Sequence, residues 1–405
     1  MIVAGAGASV EFGMPSVNKI NSLFDDWSNE ILYVPLFGES LYTFLKKEIE
    51  RSYNSVAKPI KSQTNFEEVL YTALNLYSIS NSNKSNPISA FSDFKSIPEI
   101  NAFGKLRAID SNDFITLVQY LIDKLLIEFR NKCSDLQNSK PNEINLVNNF
   151  IDKLSDKYDV SILTFNYDNI LLNALKNPVT GFDINGKFNP NLILKNNNWN
   201  FIYHLHGSVH FDMLSNSNGL HEINFNPDLK STFQQNSSGR SVDITIEELI
   251  VLTSSIIAGY GKSYQIQRNP YYLYLSDFGR KIYQADALLF AGYGFNDLYI
   301  NNLIRESFDF NRKRPVVVLT YSQDNEDPMQ FRQDNWAIQL SNTISVNKDN
   351  MSTWKYISAP EIRQVKIEKN FEVSKDVNRP LSIWHNGFLE ACRNPQLILE
   401  EFQKW

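Results

Sequence analysis

Short apolar runs punctuate this chain at long intervals. The first, Ile2-Val3-Ala4, stops at Gly5-Ala6-Gly7-Ala8-Ser9, and Gly13-Met14-Pro15 follows soon after. This reads as a buried strand feeding a glycine turn and then a helix. Further runs come at Val160 to Phe165, Phe201 to Leu205, Leu249 to Thr253, Ala287 to Gly292 and Pro315 to Tyr321. They are continuous, often β-branched, and separated by long polar or helical stretches. Strands of a parallel sheet buried on both faces have this pattern. From about Lys19 to Tyr158 the spacing is largely helical. Phe114, Leu117, Leu121, Leu125 and Ile127 fall at near-helical intervals, and Ile144 to Leu154 repeats the pattern. Thr64-Asn65-Phe66-Glu67 has the form of a capping box, with the Thr64 hydroxyl and the Glu67 carboxylate satisfying the first amides of a helix. Ser80 to Pro87, Asn196 to Asn200 and Ser215 to Gly219 read as loops. The tail from about Asn347 mixes short strands with helical pieces between Phe388 and Phe402, divided at Pro395.

The expected class is therefore α/β: a parallel sheet in a catalytic domain over residues 1–325, with a helical insertion at about 19–158. Residues 326–405 form a small extension, read as a cap or an oligomerisation surface. With 405 residues, 42% of them hydrophobic and 21% charged, the chain has ample material for a large core. A net charge of -6 argues against direct nucleic-acid binding, which needs clustered Lys and Arg. No apolar run reaches the ~18 residues of a membrane span, and no signal peptide is visible at the start. Cys133 and Cys392 are the only cysteines, which points to a reducing compartment, the cytoplasm, and excludes a four-cysteine zinc site.

Candidate chemistry gathers at the ends of the apolar runs. A strand that ends in Gly-x-Gly before a helix can bring backbone amides up to a diphosphate. The usual dinucleotide fingerprint has a third glycine where this chain has Val10, which disfavours an ordinary dehydrogenase. A tight structural turn explains Gly5 and Gly7 equally well. Val160 to Phe165 leads into Asn166-Tyr167-Asp168, polar residues placed where an open parallel sheet forms its ligand crevice; an Asx cap is the alternative. His204-Leu205-His206-Gly207-Ser208 closes the next run, and Gly292-Tyr293-Gly294-Phe295-Asn296-Asp297 closes a late one. His204 and His206 share a strand face and, with Asp212, His210 or His221, could be imagined around a metal. Gly207-Ser208 breaks the strand and no helical metal motif accompanies it, so no metal is expected.

In this order the segments resemble the sirtuin family, and within it the bacterial sirtuin-like NAD⁺-consuming defence proteins. The matching pieces are Gly5 to Ser9 with Gly13-Met14-Pro15, then Thr164-Phe165-Asn166-Tyr167-Asp168, then Leu205-His206-Gly207-Ser208, then Gly292-Tyr293-Gly294 with Asp297. The resemblance implies a Rossmann-like sheet with NAD⁺ as substrate. It gives Gly5, Ala6, Gly7, Ala8, Ser9 and Thr164 to the dinucleotide, and Asn166 and Asp168 to the nicotinamide-ribose pocket. His206 becomes the catalytic base, while Gly292, Gly294 and Asp297 line the adenosine side. The family's four-cysteine zinc module is missing, as is the Phe-Arg pair expected near Ser16, Val17 and Asn18. Both losses weaken a protein-deacylase reading and leave glycosidic-bond chemistry intact. The implied function is an NAD⁺ glycohydrolase that depletes NAD⁺ in antiphage defence. Its control is expected from homo-oligomerisation, a HerA-type ATPase or an Argonaute-like partner. ADP-ribosyl transfer or deacylation, and a non-enzymatic NAD⁺ or ADP-ribose sensor, are the alternatives.

Overall fold

The computed structural model describes residues 1–55, 64–80, 99–215, 221–231, 242–244, 250–252, 254–259, 262–311, 313–321, 336–345, 371–373 and 378–404. The chain divides into two compact units. One joins Met1–Met14, Lys132–Ser208 and Asn269–Trp405; the other joins Pro15–Asn131 and Val209–Arg268.

The first unit is built on a seven-stranded sheet. With strands numbered along the whole chain, these are β1 (Ile2–Ala4), β6 (Ile162–Thr164), β7 (Ile202–His204), β12 (Leu288–Ala291), β13 (Val316–Leu319), β14 (Phe371–Val373) and β15 (Leu381–Trp384). Their order is β14-β15-β13-β12-β1-β6-β7, all parallel except β14, which runs antiparallel along β15. Counted along the chain, the six parallel strands lie in the order 3-2-1-4-5-6, that of a doubly wound Rossmann-type sheet. Every residue of those six strands is buried, as a parallel sheet covered on both faces requires. Each fully buried Val, Leu or Ile side chain contributes about 1.5–3 kcal/mol.

The topological switch lies beside β1. After β1 the chain builds β6 and β7 to one side, then crosses to β12, β13 and β15 on the other. Loops leaving β1 and β12 at their carboxyl ends therefore meet where such sheets bind ligands.

The tail does more than the sequence suggested. Residues after 325 put β15 into the parallel sheet beside β13, in register from Val316↔Leu381 to Leu319↔Trp384. Helices Phe388–Arg393 and Pro395–Gln403 pack on helix Pro141–Ser155. The Glu11 carboxylate accepts the amides of Phe388 and Leu389 at 2.8 and 2.9 Å, tying the tail to the segment just after the first glycine turn.

The second unit holds a four-stranded antiparallel sheet in the order β3-β2-β4-β5: β2 is Leu32–Val34, β3 Glu39–Ser40, β4 Ile100–Ala102 and β5 Lys105–Arg107. It also holds the helices Val17–Ser28, Leu41–Asn54 and Phe66–Ser80, and two antiparallel strand pairs. The pairs are β8 (Phe211–Ser215) with β9 (His221–Phe225), and β10 (Val242–Ile244) with β11 (Ile250–Leu252). Three expectations change here. The run at Leu249 to Thr253 does form a strand, β11, but it pairs antiparallel with β10 and stands outside the parallel sheet. The helical unit starts near residue 15 and recruits 209–268 as well, while residues 132–158 pack with the sheet. The capping box is shifted by one residue. The Asn65 side chain accepts the Glu68 amide at 3.0 Å, and Glu68 accepts the Asn65 amide at 3.1 Å, with the Thr64 hydroxyl also on Glu68. Glu67 instead pairs with Lys262 at 2.8 Å. The expected loops at 81–87 and 216–219 lie outside the described residues.

Candidate active site

All of the singled-out site residues fall in the first unit, in the turns after β1, β6, β7 and β12 or, for Thr164, at the last position of β6. The two glycine turns are packed backbone to backbone. Gly5 donates to the Ala291 carbonyl and Gly7 to the Gly292 carbonyl, both at 3.0 Å. A Cβ on Gly5 or Gly7 would come within 2.9 Å of the Gly292-Tyr293 backbone, and one on Gly292 would lie 2.0 Å from the Ala8 nitrogen. Gly292 also has φ +57. The glycines are thus demanded by the close approach of one turn to the other, in keeping with the structural-turn alternative for Gly5 and Gly7. Ala8 and Ser9 donate their amides back to Gly5 and Ala6. The exposed Ala6 is the residue of this turn whose amide makes no such backbone bond among the described residues.

Asn166 ties the first turn to β6 and β7. Its Nδ2 donates to the Gly5 carbonyl at 2.9 Å and to Ser9 Oγ at 2.8 Å, which uses both amide hydrogens and leaves the carboxamide oxygen for other partners. Its backbone amide donates to Thr164 Oγ1 at 3.1 Å, and its carbonyl lies 3.2 Å from His204 Nδ1. Thr164, at 2% exposure, therefore holds Asn166 and does not face outward. His204 is likewise a buried support.

Asp168 Oδ1 accepts the Ile170 amide at 3.1 Å, opening the helix Ile170–Ala174 as the Asx alternative anticipated. The Asp168 carboxyl is fully enclosed. Burial pushes its pKa up by more than the Ser9 hydroxyl and the Ile170 amide pull it down. Ser9 Oγ thus accepts from Asn166, and its hydroxyl opposes the burial shift at Asp168. Cys133 lies nearby; burial, and then the Asp168 charge, keep its thiol protonated.

His206 stands in an aromatic and acidic setting. Its Nε2 is 3.1 Å from Asp297 Oδ2. Its ring meets Phe165 edge-on at 4.9 Å, and Phe165 stacks on Tyr293 at 5.0 Å. Burial, and then the Asp297 charge, keep the Tyr293 phenol protonated, and it donates to Asn301 Oδ1 at 2.9 Å. Gly294 is exposed, and a Cβ there would meet Asn296 Nδ2 at 3.3 Å. The structure thus brings Asp297 to His206, a pairing that sequence reasoning missed, along with the aromatic wall of Phe165 and Tyr293. The one hint was an aromatic residue embedded in two of the matching segments, Phe165 in one and Tyr293 in the other. His210 belongs to the second unit, where its Nδ1 lies 2.7 Å from the Asn226 carbonyl, and among the described residues no group of His, Cys, Asp and Glu could hold a metal. Tyr274 stacks on Tyr203 at 4.5 Å as core packing.

Residues 160–341 match the family model of the SIR2-like domain. That span contains Asn166, Asp168, His206 and Asp297, and starts after the first glycine turn. Among solved structures, the chain is similar to a Sir2 homolog in complex with NAD. The two are 12% identical, 90% of this chain and 89% of that one are covered, and the TM-score is 0.34. A Sir2 homologue variant in complex with ADP-ribose is 12% identical over 90% and 92% of the two chains, with a TM-score of 0.32. No curated protein sequence matches the chain. Among the described residues, no helix is long and apolar enough to cross a membrane.

Proposed function

We propose that the first unit binds NAD⁺ and hydrolyses its nicotinamide–ribose bond. The observation that carries this reading is the hydrogen-bonded chain from the first glycine turn through Asn166 to β7, where His206 follows two residues after His204. The match of residues 160–341 to the SIR2-like domain supports it.

In this mechanism the C1′–N bond breaks through an oxocarbenium-like transition state, and nicotinamide leaves with the bonding electron pair as a neutral ring. Water forms the new C1′–O bond and gives its proton to neutral His206, an imidazole suited to that task near neutral pH. The Asn166 carboxamide oxygen orients the water or the ribose. Asp168, which burial favours in its protonated form, bonds the nicotinamide carboxamide. The turn Gly5 to Ser9 takes the diphosphate side, with Ala6 supplying its amide, and Gly294 flanks the adenosine. The site mainly orients and stabilises charge, because the pyridinium is already a good leaving group.

Activity of this kind depletes a shared cofactor, so we attach to it an antiphage defence role in the cytoplasm, with control by self-assembly or by an ATPase or Argonaute-like partner. The sequence resemblance supports that part. Purified chain incubated with NAD⁺, with and without candidate partners, should release nicotinamide and free ADP-ribose. Stoichiometric modification of a protein would favour a transferase, and tight binding without turnover a sensor.

A further inference from the structure

Asp297 stands at the N-cap position of the helix Leu298–Phe310, where an aspartate ordinarily turns back on the first helical amides. Here its side chain makes no cap bond and reaches His206 instead. A side chain that gives up its usual helix partner for an imidazole is oriented by the imidazole.

The loop that delivers it is braced. Phe295 is fully buried at φ +54, a left-handed conformation that bulky residues rarely adopt. Asn301 donates to the Phe295 carbonyl at 2.7 Å and accepts from the Tyr293 hydroxyl at 2.9 Å. Trp336 Nε1 donates to the Tyr293 carbonyl at 3.2 Å. Tyr293 then stacks on Phe165, whose ring meets His206. One loop therefore supplies both the carboxylate at one nitrogen of His206 and the backing for the wall its ring rests on. Strain held by several independent contacts is typical of positioned functional loops.

We infer that Asp297 is the positioning residue of His206: its carboxylate accepts the Nε2–H, fixes that tautomer and leaves Nδ1 as the nitrogen that takes the proton. The inference rests on reading His206 as the base of the proposed cleavage. A carboxylate can only accept, so the imidazole hydrogen must lie on Nε2. The N-terminus of the helix Leu298–Phe310 stabilises the carboxylate charge. When Nδ1 is protonated, the same carboxylate stabilises the imidazolium, as in hydrolase triads. This role differs from the adenosine-side place that the sequence resemblance implied for Asp297.

The test uses the full chain with ¹⁵N-labelled histidine, the His206 signals being assigned by their loss in His206→Ala. Wild-type protein should show neutral His206 with its proton on Nε2. Asp297→Asn, whose amide can donate, should move the proton toward Nδ1 and lower kcat for NAD⁺ by about 100-fold or more, with KM changed only a few-fold. Asp297→Glu should recover the tautomer and part of the rate. A His206 tautomer that Asp297→Asn leaves unaltered, or an undiminished kcat, would overturn the inference. If wild-type protein does not cleave NAD⁺, the cleavage reading falls by itself, and the tautomer still decides whether Asp297 orients His206.

Discussion

The turns after β1 and β12 and the turns after β6 and β7 lie at the same edge of one sheet, yet they are made of different material. Where the first pair meet they are bare backbone: Gly5 and Gly7 press on Gly292 so closely that no Cβ fits. The second pair carries the polar side chains Asn166, Asp168 and His206, each engaged by neighbours. Glycines at a switch point can therefore serve to let two loops touch, while the polar side chains Asn166, Asp168 and His206 sit one and two strands away. The division predicts that substitutions in the two pairs fail in different ways.

The largest effect is expected at Gly292. Gly292→Ala places a methyl 2.0 Å from the Ala8 nitrogen at φ +57, and neither turn can give way without breaking the Gly7 to Gly292 hydrogen bond. Denaturant midpoints should show a loss of about 3 kcal/mol or more. A midpoint like that of the wild type would mean that the turns are not in contact.

Next come the polar ends. His206→Ala should lower NAD⁺ cleavage by about 10²–10⁴-fold while moving the denaturation midpoint far less than Gly292→Ala. Asn166→Ala should lower both, because it also removes the bonds to Gly5 and Ser9, worth about 1–3 kcal/mol together. A variant of His206 that unfolds as readily as Gly292→Ala would erase the contrast.

Asp168→Asn gives a smaller, pH-dependent signature. Burial raises the Asp168 pKa in the folded chain, so the folded state keeps a proton that the unfolded chain releases. The wild type should then lose stability as pH climbs from the ordinary carboxylate value through the raised one, and the variant should lack that loss. Urea titrations at about pH 4 and about pH 7 would show it, since ordinary aspartate titrates near 3.9. Equal pH slopes for the two proteins would contradict the assignment. Smallest of all is Gly294→Ala. Its φ is ordinary and its Cβ would meet only Asn296 Nδ2, at 3.3 Å, so stability should stay within about 0.5 kcal/mol, while the added methyl on the adenosine side should raise KM for NAD⁺ a few-fold with kcat little changed.

The central strands were legible because burial on both faces leaves a continuous apolar run, as at Leu288–Ala291 and Val316–Leu319. β15 escaped because Ser382 interrupts Leu381–Trp384; in the fold its hydroxyl is buried on Glu401 at 2.7 Å, a partner no local pattern reveals. The capping box was recognisable, but its register was not, since Thr64 and Asn65 are both competent caps and only the folded helix start chooses between them. At the site, each motif could be read alone. What joined them could not: Asn166 meets Gly5 across 161 residues and His206 meets Asp297 across 91. Sequence also cannot say what a glycine's missing Cβ would have struck, so a packing requirement could not be told apart from a phosphate cradle.

The most direct measurement is NAD⁺ turnover by the full chain in ¹⁸O-labelled water, with Asn166→Ala run beside the wild type. Wild-type protein should yield nicotinamide and ADP-ribose labelled at the C1′ hydroxyl, and the variant at least about 100-fold less of both. Equal turnover by the two proteins, or a wild-type chain that binds NAD⁺ and never releases nicotinamide, would contradict the account.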